Sequence, residues 1–199
     1  MAGLIGRLRR AAAASTEVLD VIIDRDPSIR SRSEALLHPT VLALAGYRVG
    51  NRLYRKERFK SARAVCMLTR VLTGGIEIHP GARIGRRFFI DHGCGVVIGE
   101  TAIIGDDVSL FHQVTLGSYG WWQDRGRADG RRHPKLGNGV TVGANASLLG
   151  PITVGDNALI GAQSLVLQDV PADAHVRAPA GDVVHRTSSN TVVRLPRAS

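Results

Sequence analysis

The sequence is short of several things, and each shortage excludes something. Two cysteines, Cys66 and Cys94, among 199 residues make no disulfide framework, and neither belongs to a CxxC pair, so a reducing compartment suits the chain. Aromatic residues are only 5% and no run of five or six like charges occurs, so a nucleic-acid-binding stripe is not expected despite the cation excess. The longest aliphatic stretch near the start, Val41 to Ala45, falls far short of the ~20 apolar residues that span a bilayer. Arginines interrupt the apolar residues of MAGLIGRLRRAAAAS, which makes a poor secretory signal, and its acid-poor, Arg-rich start only imitates a transit peptide. The expected setting is the cytoplasm, with neither membrane nor nucleic acid as partner.

What is present is ordinary globular material: 44% hydrophobic and 22% charged residues, enough to bury a core. The net charge of +9 comes almost wholly from arginine. It suits a phosphate-bearing partner such as a phosphorylated cofactor, and it equally reflects a composition rich in Arg and Ala.

The first third reads as helix. Ser31 to Glu34 (SRSE) has capping-box spacing. After Pro39, the residues Val41, Leu42, Ala45, Val49 and Leu53 recur at three-to-four spacing, and a further helix is predicted from about Ser61 to Leu72, stopped by Gly74-Gly75.

Beyond Gly75 the period changes to six. Ile78, Ile84, Ile90, Ile98, Ile104, Leu110 and Leu116, and after a break Leu136, Val142, Leu148, Val154, Ile160 and Val166, are all aliphatic, and eight of the thirteen are followed by glycine. Six is neither the helical 3.6 nor the strand 2, so it marks an internal repeat. Each hexapeptide supplies one short strand and one turn, three make a triangular coil, and thirteen give slightly more than four coils. The expected organisation is an α-helical N-terminal domain over 1–74, a parallel β-helix over 75–175 with an inserted loop at 118–132, and a tail over 176–199.

The register breaks twice. Ile90 to Ile98 is two residues too long, and Leu116 to Leu136 holds the loop Ser118 to Arg132. Insertions in a solenoid leave the core and gather on its binding face. Histidines sit in both. His92, within Asp91-His92-Gly93-Cys94-Gly95, is accessible and has a pKa suited to general-base work. Glu77, at the start of the coil, is placed to orient the ring. His112 follows one coil plus the bulge later, so it should stack one layer from His92. His79, His92 and His112 lack a carboxylate at ligand spacing, so no metal is expected. Arg132-His133-Pro134 closes the loop, where an arginine could hold a carboxylate or simply be a solvated cation.

Together these motifs resemble the serine acetyltransferase family over most of the chain: RDPSIRSRSEALLHP, GIEIHPGARIGRRFFIDHGCGVVIGETAIIGDDVSL, and RRHPKLGNGVTVGANASLLGPITVGDNALIGAQSLVLQDVP. The resemblance implies a left-handed β-helix, the handedness not following from the period itself, and transfer of acetyl from acetyl-CoA to the serine hydroxyl, the first step of cysteine biosynthesis. It implies His92 as catalytic base with Glu77 as acidic partner. Asp26, Asp91, Arg132 and His133 match residues that hold serine's amine and carboxylate. Gly117, Gly143, Ala144, Gly161 and Ala162 are the implied acetyl-CoA contacts, in a groove between neighbouring β-helices. A homotrimer, sometimes paired into a hexamer, is also implied.

Three departures stand out. SYGWWQDRGRADG, with Trp121-Trp122, is longer and more aromatic than the family's loop. RAPAGDVVHR replaces the usual C-terminal run of small residues. The chain ends in PRAS without the isoleucine by which many members dock into cysteine synthase, so that partnership is not expected. Rival readings are an acetyltransferase of the same fold acting on another hydroxy amino acid or a sugar, a metal-dependent γ-carbonic-anhydrase-like enzyme, and a scaffold without chemistry.

Overall fold

The structure, a computed structural model, describes residues 16–120, 130–181, 184–186 and 192–194. The Trp121-Trp122 loop and the PRAS end lie outside the described residues.

Helix α1 occupies residues 16–25. Helix α2 (Arg32–Ala35) is the expected capping box with one shift: Ser31 Oγ accepts from the Glu34 amide at 3.2 Å, while the Glu34 carboxylate takes the amide of Arg30 at 2.6 Å. Helix α3 (Pro39–Tyr54) starts at the proline itself, where a missing N–H costs nothing. Helix α4 (Phe59–Leu72) ends as the double glycine demands, Gly74 taking φ 68° and Gly75 N–H returning to the Arg70 carbonyl at 2.9 Å. Gly46 lets α3 approach α4, since a Cβ there would sit 2.0 Å from Thr69 Oγ1. Helix α3 is also stitched to the first coil of the β-helix. Thr40 Oγ1 donates to the Ile90 carbonyl at 2.7 Å, Tyr47 Oη to Ala82 at 2.7 Å, and Asn51 Nδ2 to Pro80 at 2.8 Å.

The repeat folds into a triangular prism with three parallel faces. The first comprises β1 (Glu77–Ile78), β4 (Val97–Ile98), β7 (Thr115–Gly117), β10 (Ser147–Leu149) and β13 (Leu165–Val166). The second comprises β2 (Arg83–Ile84), β5 (Ile103–Ile104), β8 (Lys135–Leu136) and β11 (Thr153–Val154); the third β3 (Phe89–Ile90), β6 (Ser109–Leu110), β9 (Thr141–Val142), β12 (Leu159–Ile160) and β14 (His175–Val176). The register confirms the counting: Val97 lies opposite Thr115, one 18-residue coil on, whereas Glu77 lies opposite Val97 because the His92 bulge adds two. A hairpin not expected from the sequence, β15 (Val184–Arg186) with β16 (Val192–Arg194), follows in the tail.

Twelve of the thirteen register positions are buried; Ile84, on the strand that ends the second face, is only partly covered. A second inward row lies two residues earlier and includes Ile76, Ala82, Phe88, Val96, Ala102 and Val108. One continuous core joins Val18, Val21 and Ile22 of α1 and Leu44 of α3 to the interior of the prism.

Two of the three prism edges, from the second face to the third and from the third to the first, turn through left-handed residues placed two positions before a strand. On the edge from the third face to the first these are Gly95, Gln113, Asn145 and Gln163, at φ 58–70°. The next edge, from the first face to the second, carries Gly99–Thr101 and Arg131–Pro134. These two edges hold every candidate site residue except Asp26 and Glu77.

Candidate active site

On the first edge the two-residue bulge throws His92 outward. Its backbone is left-handed (φ 59°), as is that of Gly93 (φ 73°), a conformation that costs a non-glycine residue about 1–2 kcal/mol. Gly93 is obligatory on a second ground, because a Cβ there would meet Ile76 Cδ1 at 2.5 Å. The imidazole of His92 is 73% exposed and its Nε2 stands 3.8 Å from Asp91 Oδ1, an ionic distance and not a hydrogen bond. His112 stacks edge-on against it, centroids 5.8 Å apart, as the coil arithmetic expected.

Asp26 arrives beside this edge from the turn after α1. Its Oδ1 accepts both the amide (2.9 Å) and the hydroxyl (2.6 Å) of Ser28, leaving Oδ2 to face His38 Nε2 at 3.8 Å. The Ser28 hydroxyl, opposed by partial burial and helped by the Ser28 amide, His38 and His92, holds the Asp26 carboxyl below the usual range. His38 was not singled out from the sequence. It is buried, stacks on Phe89 at 5.6 Å, and caps α3 by accepting the Thr40 amide on Nδ1 at 3.3 Å, which leaves Nε2 as the protonated nitrogen of the neutral ring. Burial lowers its pKa, against the pull of Asp26 and Asp91. The only legible signal was its place before Pro39, where an N-cap belongs.

Asp26, His38 and Asp91 each bring a ligand atom within 4.8 Å of the others. Two carboxylates around a neutral imidazole suit a small cation, an alkylammonium above all. Among the described residues it is this trio, not His79, His92 and His112, that has the composition of a metal-ligand set. A cleft of about 470 Å³, lined by Asp91, Arg25, Phe89 and Phe111 among others, opens beside it.

Arg132 and His133 lie on the next edge. Both amides donate to Thr101 Oγ1, at 2.8 and 3.1 Å, and the Thr101 hydroxyl meets His133 Nδ1 at 2.8 Å. His133, the expected substrate contact, is a buried residue (7% exposed) whose ring fills the space over Gly99, whose missing Cβ would lie 1.9 Å from it. Its Nδ1 also accepts the Thr101 amide at 3.2 Å, which puts the proton of the neutral ring on Nε2. Arg132 Nη2 donates to Glu100 Oε2 at 2.6 Å. Within one chain Glu77 and His92 have other partners. The Glu77 carboxylate bonds Arg70 at 2.9 Å, because the last turn of α4 lies against β1.

Of the residues matched to acetyl-CoA contacts, Gly143, Ala144, Gly161 and Ala162 rise along the same edge as His92. The amide ladder of that edge connects them: Gln113 to the Cys94 carbonyl, Asn145 to His112 and Gln163 to Ala144, at 2.8–3.0 Å. Gly117 ends β7 on the edge of Arg132.

Comparison with known proteins gives this geometry a family. The bacterial transferase hexapeptide model (six repeats) matches residues 133–168. A serine acetyltransferase of Helicobacter pylori is 51% identical over 154 residues, 77% of this chain and 86% of that protein. One from Bacillus licheniformis is 48% identical over 169 residues, 84% of this chain and 75% of its own. The chain belongs to the serine acetyltransferase family. Solved structures agree: a serine acetyltransferase of Entamoeba histolytica in complex with cysteine superposes with a TM-score of 0.81 at 32% identity, covering 94% of this chain, which spans 64% of that one. That of Neisseria gonorrhoeae in complex with serine gives 0.76 at 35% identity, over 96% and 71%. The left-handed parallel β-helix, its coils expected from the hexapeptide repeats and its hand from the resemblance, is the fold class of the chain.

Proposed function

We propose that this protein transfers the acetyl group of acetyl-CoA to the hydroxyl of L-serine, with His92 as general base. The observation that carries the reading is the position of His92, raised out of the helical register beside two carboxylates, Asp26 and Asp91. An ammonium seated between those carboxylates brings the hydroxyl of the same small molecule to His92 Nε2. A sugar brings no such cation, which favours an amino acid.

The hydroxyl proton passes to His92 as the oxygen attacks the thioester carbonyl. The tetrahedral intermediate collapses, the C–S bond breaks, and the imidazolium returns the proton to the departing thiolate, so free coenzyme A and O-acetylserine leave with the base regenerated. General-base catalysis of this kind contributes about 10²–10⁴ in rate. By resemblance Glu77 orients the ring, which requires it to give up its exposed ion pair with Arg70, a weak competitor. Acetyl-CoA follows the small-residue edge past Ala144 and Ala162, and Gly117 contributes from the edge of a neighbouring copy.

Arg132 and His92 occupy different edges of one chain. A complete site, ammonium at Asp26 and Asp91 and carboxylate at Arg132, therefore draws its two edges from adjacent copies, as threefold packing of prisms supplies. The exposed apolar residues Leu36, Leu37, Met67, Leu68 and Val71 of the helical segment suit pairing of trimers. Among the described residues no helix is long and apolar enough to cross a membrane, and a cytoplasmic enzyme is the reading adopted.

The test is thiol release from acetyl-CoA with serine, homoserine, threonine and simple sugars as acceptors, alongside light scattering. Serine is expected to give the highest kcat/KM, with a mass of three or six 21.3 kDa chains. A sugar preferred over serine, or an active monomer, overturns the proposal.

A further inference from the structure

Arg132 does not stand alone on its edge. Its Nη2 is bound to one oxygen of Glu100 at 2.6 Å, and the other oxygen of Glu100 accepts the Tyr54 hydroxyl at 2.7 Å. Tyr54 is the last residue of α3 and is itself wedged edge-on against His79 (5.7 Å) and Phe59 (5.1 Å). The backbone of Arg132 is pinned separately by Thr101 Oγ1. Both ends of the arginine are thus fixed, while its side chain keeps 27% exposure and the remaining guanidinium donors have no partner among the described residues.

We infer that Glu100 and Tyr54 are positioning residues that hold the Arg132 guanidinium so that its uncommitted donors face the carboxylate of the acceptor. This rests on the reading of Arg132 given above. A guanidinium offers five donors in a rigid plane, and fixing one edge of the plane aims the opposite edge. Without Glu100 the four-bond side chain is free to rotate, and the acceptor must order it on binding. Burial alone would raise the Glu100 pKa, but the Tyr54 hydroxyl and the neighbouring His79 and Arg132 bring it below the ordinary range. The carboxylate is therefore ionised, and the Glu100–Arg132 pair carries no net charge. Selection of a carboxylate at this edge then depends on directed hydrogen bonds more than on a diffuse positive field.

A merely structural role, tying the loop to the prism, makes different predictions. The experiment is steady-state kinetics of the assembled enzyme for Arg132→Ala, Glu100→Ala, Glu100→Gln and Tyr54→Phe, with Tm and mass measured on each. Arg132→Ala is expected to raise KM for serine tenfold or more, on the order of one charge-assisted hydrogen bond. Glu100→Ala should raise it about fivefold to twentyfold, with kcat and KM for acetyl-CoA within about twofold. Glu100→Gln, which keeps an acceptor for Nη2, should recover most of that loss, and Tyr54→Phe should raise KM for serine about twofold to fivefold. If Arg132→Ala raises KM but Glu100→Ala and Tyr54→Phe do not, the positioning role falls and the reading of Arg132 stands. If Arg132→Ala leaves KM for serine unchanged, both fall. Equal losses in kcat and in both KM values, with a lowered Tm, leave only the structural role. Should Glu100→Ala fail to assemble, Tyr54→Phe decides, since it removes a single hydroxyl.

Discussion

Replacing Gly99 by alanine tests how the arginine edge is held. A Cβ on Gly99 would lie 1.9 Å from Cδ2 and 2.1 Å from Nε2 of His133, whereas carbon atoms meet comfortably at ~3.5–4.0 Å. The ring must retreat by roughly 1.5 Å. It has little room to do so, being 7% exposed and bonded to Thr101 Oγ1 at 2.8 Å. Overpacking of this kind costs about 1–3 kcal/mol, and loss of the Thr101 bond adds about 1 kcal/mol. In a chain of this length each kcal/mol lowers Tm by about 2–4 °C, so a fall on the order of 4–16 °C is expected in scanning calorimetry. The displacement reaches Arg132, because the Arg132 and His133 amides share one threonine oxygen. KM for serine should rise while kcat changes less, since His92 stands on another edge. An alanine variant with unchanged Tm and unchanged KM refutes the packing described here.

Leu148→Ala, at a fully buried register position, should cost about 2–5 kcal/mol, read as a lowered denaturant midpoint without a change in KM. Asp26→Asn should raise KM for serine about tenfold or more and leave KM for acetyl-CoA unmoved; equal effects on both substrates would remove Asp26 from the amine site. Stability should fall as pH drops from 7 to 5. Burial depresses the pKa values of His38 and His79 below 6.5, against Asp26 and Asp91 around the first ring and Glu100 and Glu77 around the second, with His92 adding to the depression at His38 and Arg63 and Arg132 at His79. Below 6.5 the unfolded chain therefore binds more protons than the folded one, so this contribution is complete above pH 6.5 and is lost beneath it. His38→Asn, which keeps an N-cap acceptor, should flatten the slope of Tm against pH over that interval.

The six-residue aliphatic rhythm was legible because each coil repeats one demand, an apolar residue pointing inward followed by a tight corner. The second inward row was not: it mixes Ala82, Ala102, Ala146 and Ala158 with Val and Ile, and small residues carry no periodic signal of their own. At the site, the breaks in register located His92 and Arg132, since an extra residue in a solenoid can only go outward. Partners joined across sequence were harder to read. Nothing local to SRSEALLHPT announces that His38 will face Asp26, and nothing near GETAI announces that Glu100 will take both Tyr54 and Arg132. Those contacts depend on how α3 lies across the first coil. The packing of His133 was hidden for the same reason: only the missing side chain of Gly99 shows that its ring lies inward against that residue. Glu77 was given to His92 from its place at the start of the coil, where nothing local announces that the end of α4 also delivers Arg70 to it.

The most direct measurement of the central claim is turnover and Tm of His92→Gly together. Glycine adopts φ 59° without strain, so the fold should gain or hold Tm while kcat falls at least ~100-fold, as loss of a general base requires. Activity within tenfold of the parent, in a variant just as stable, would contradict the assignment of His92 as the base.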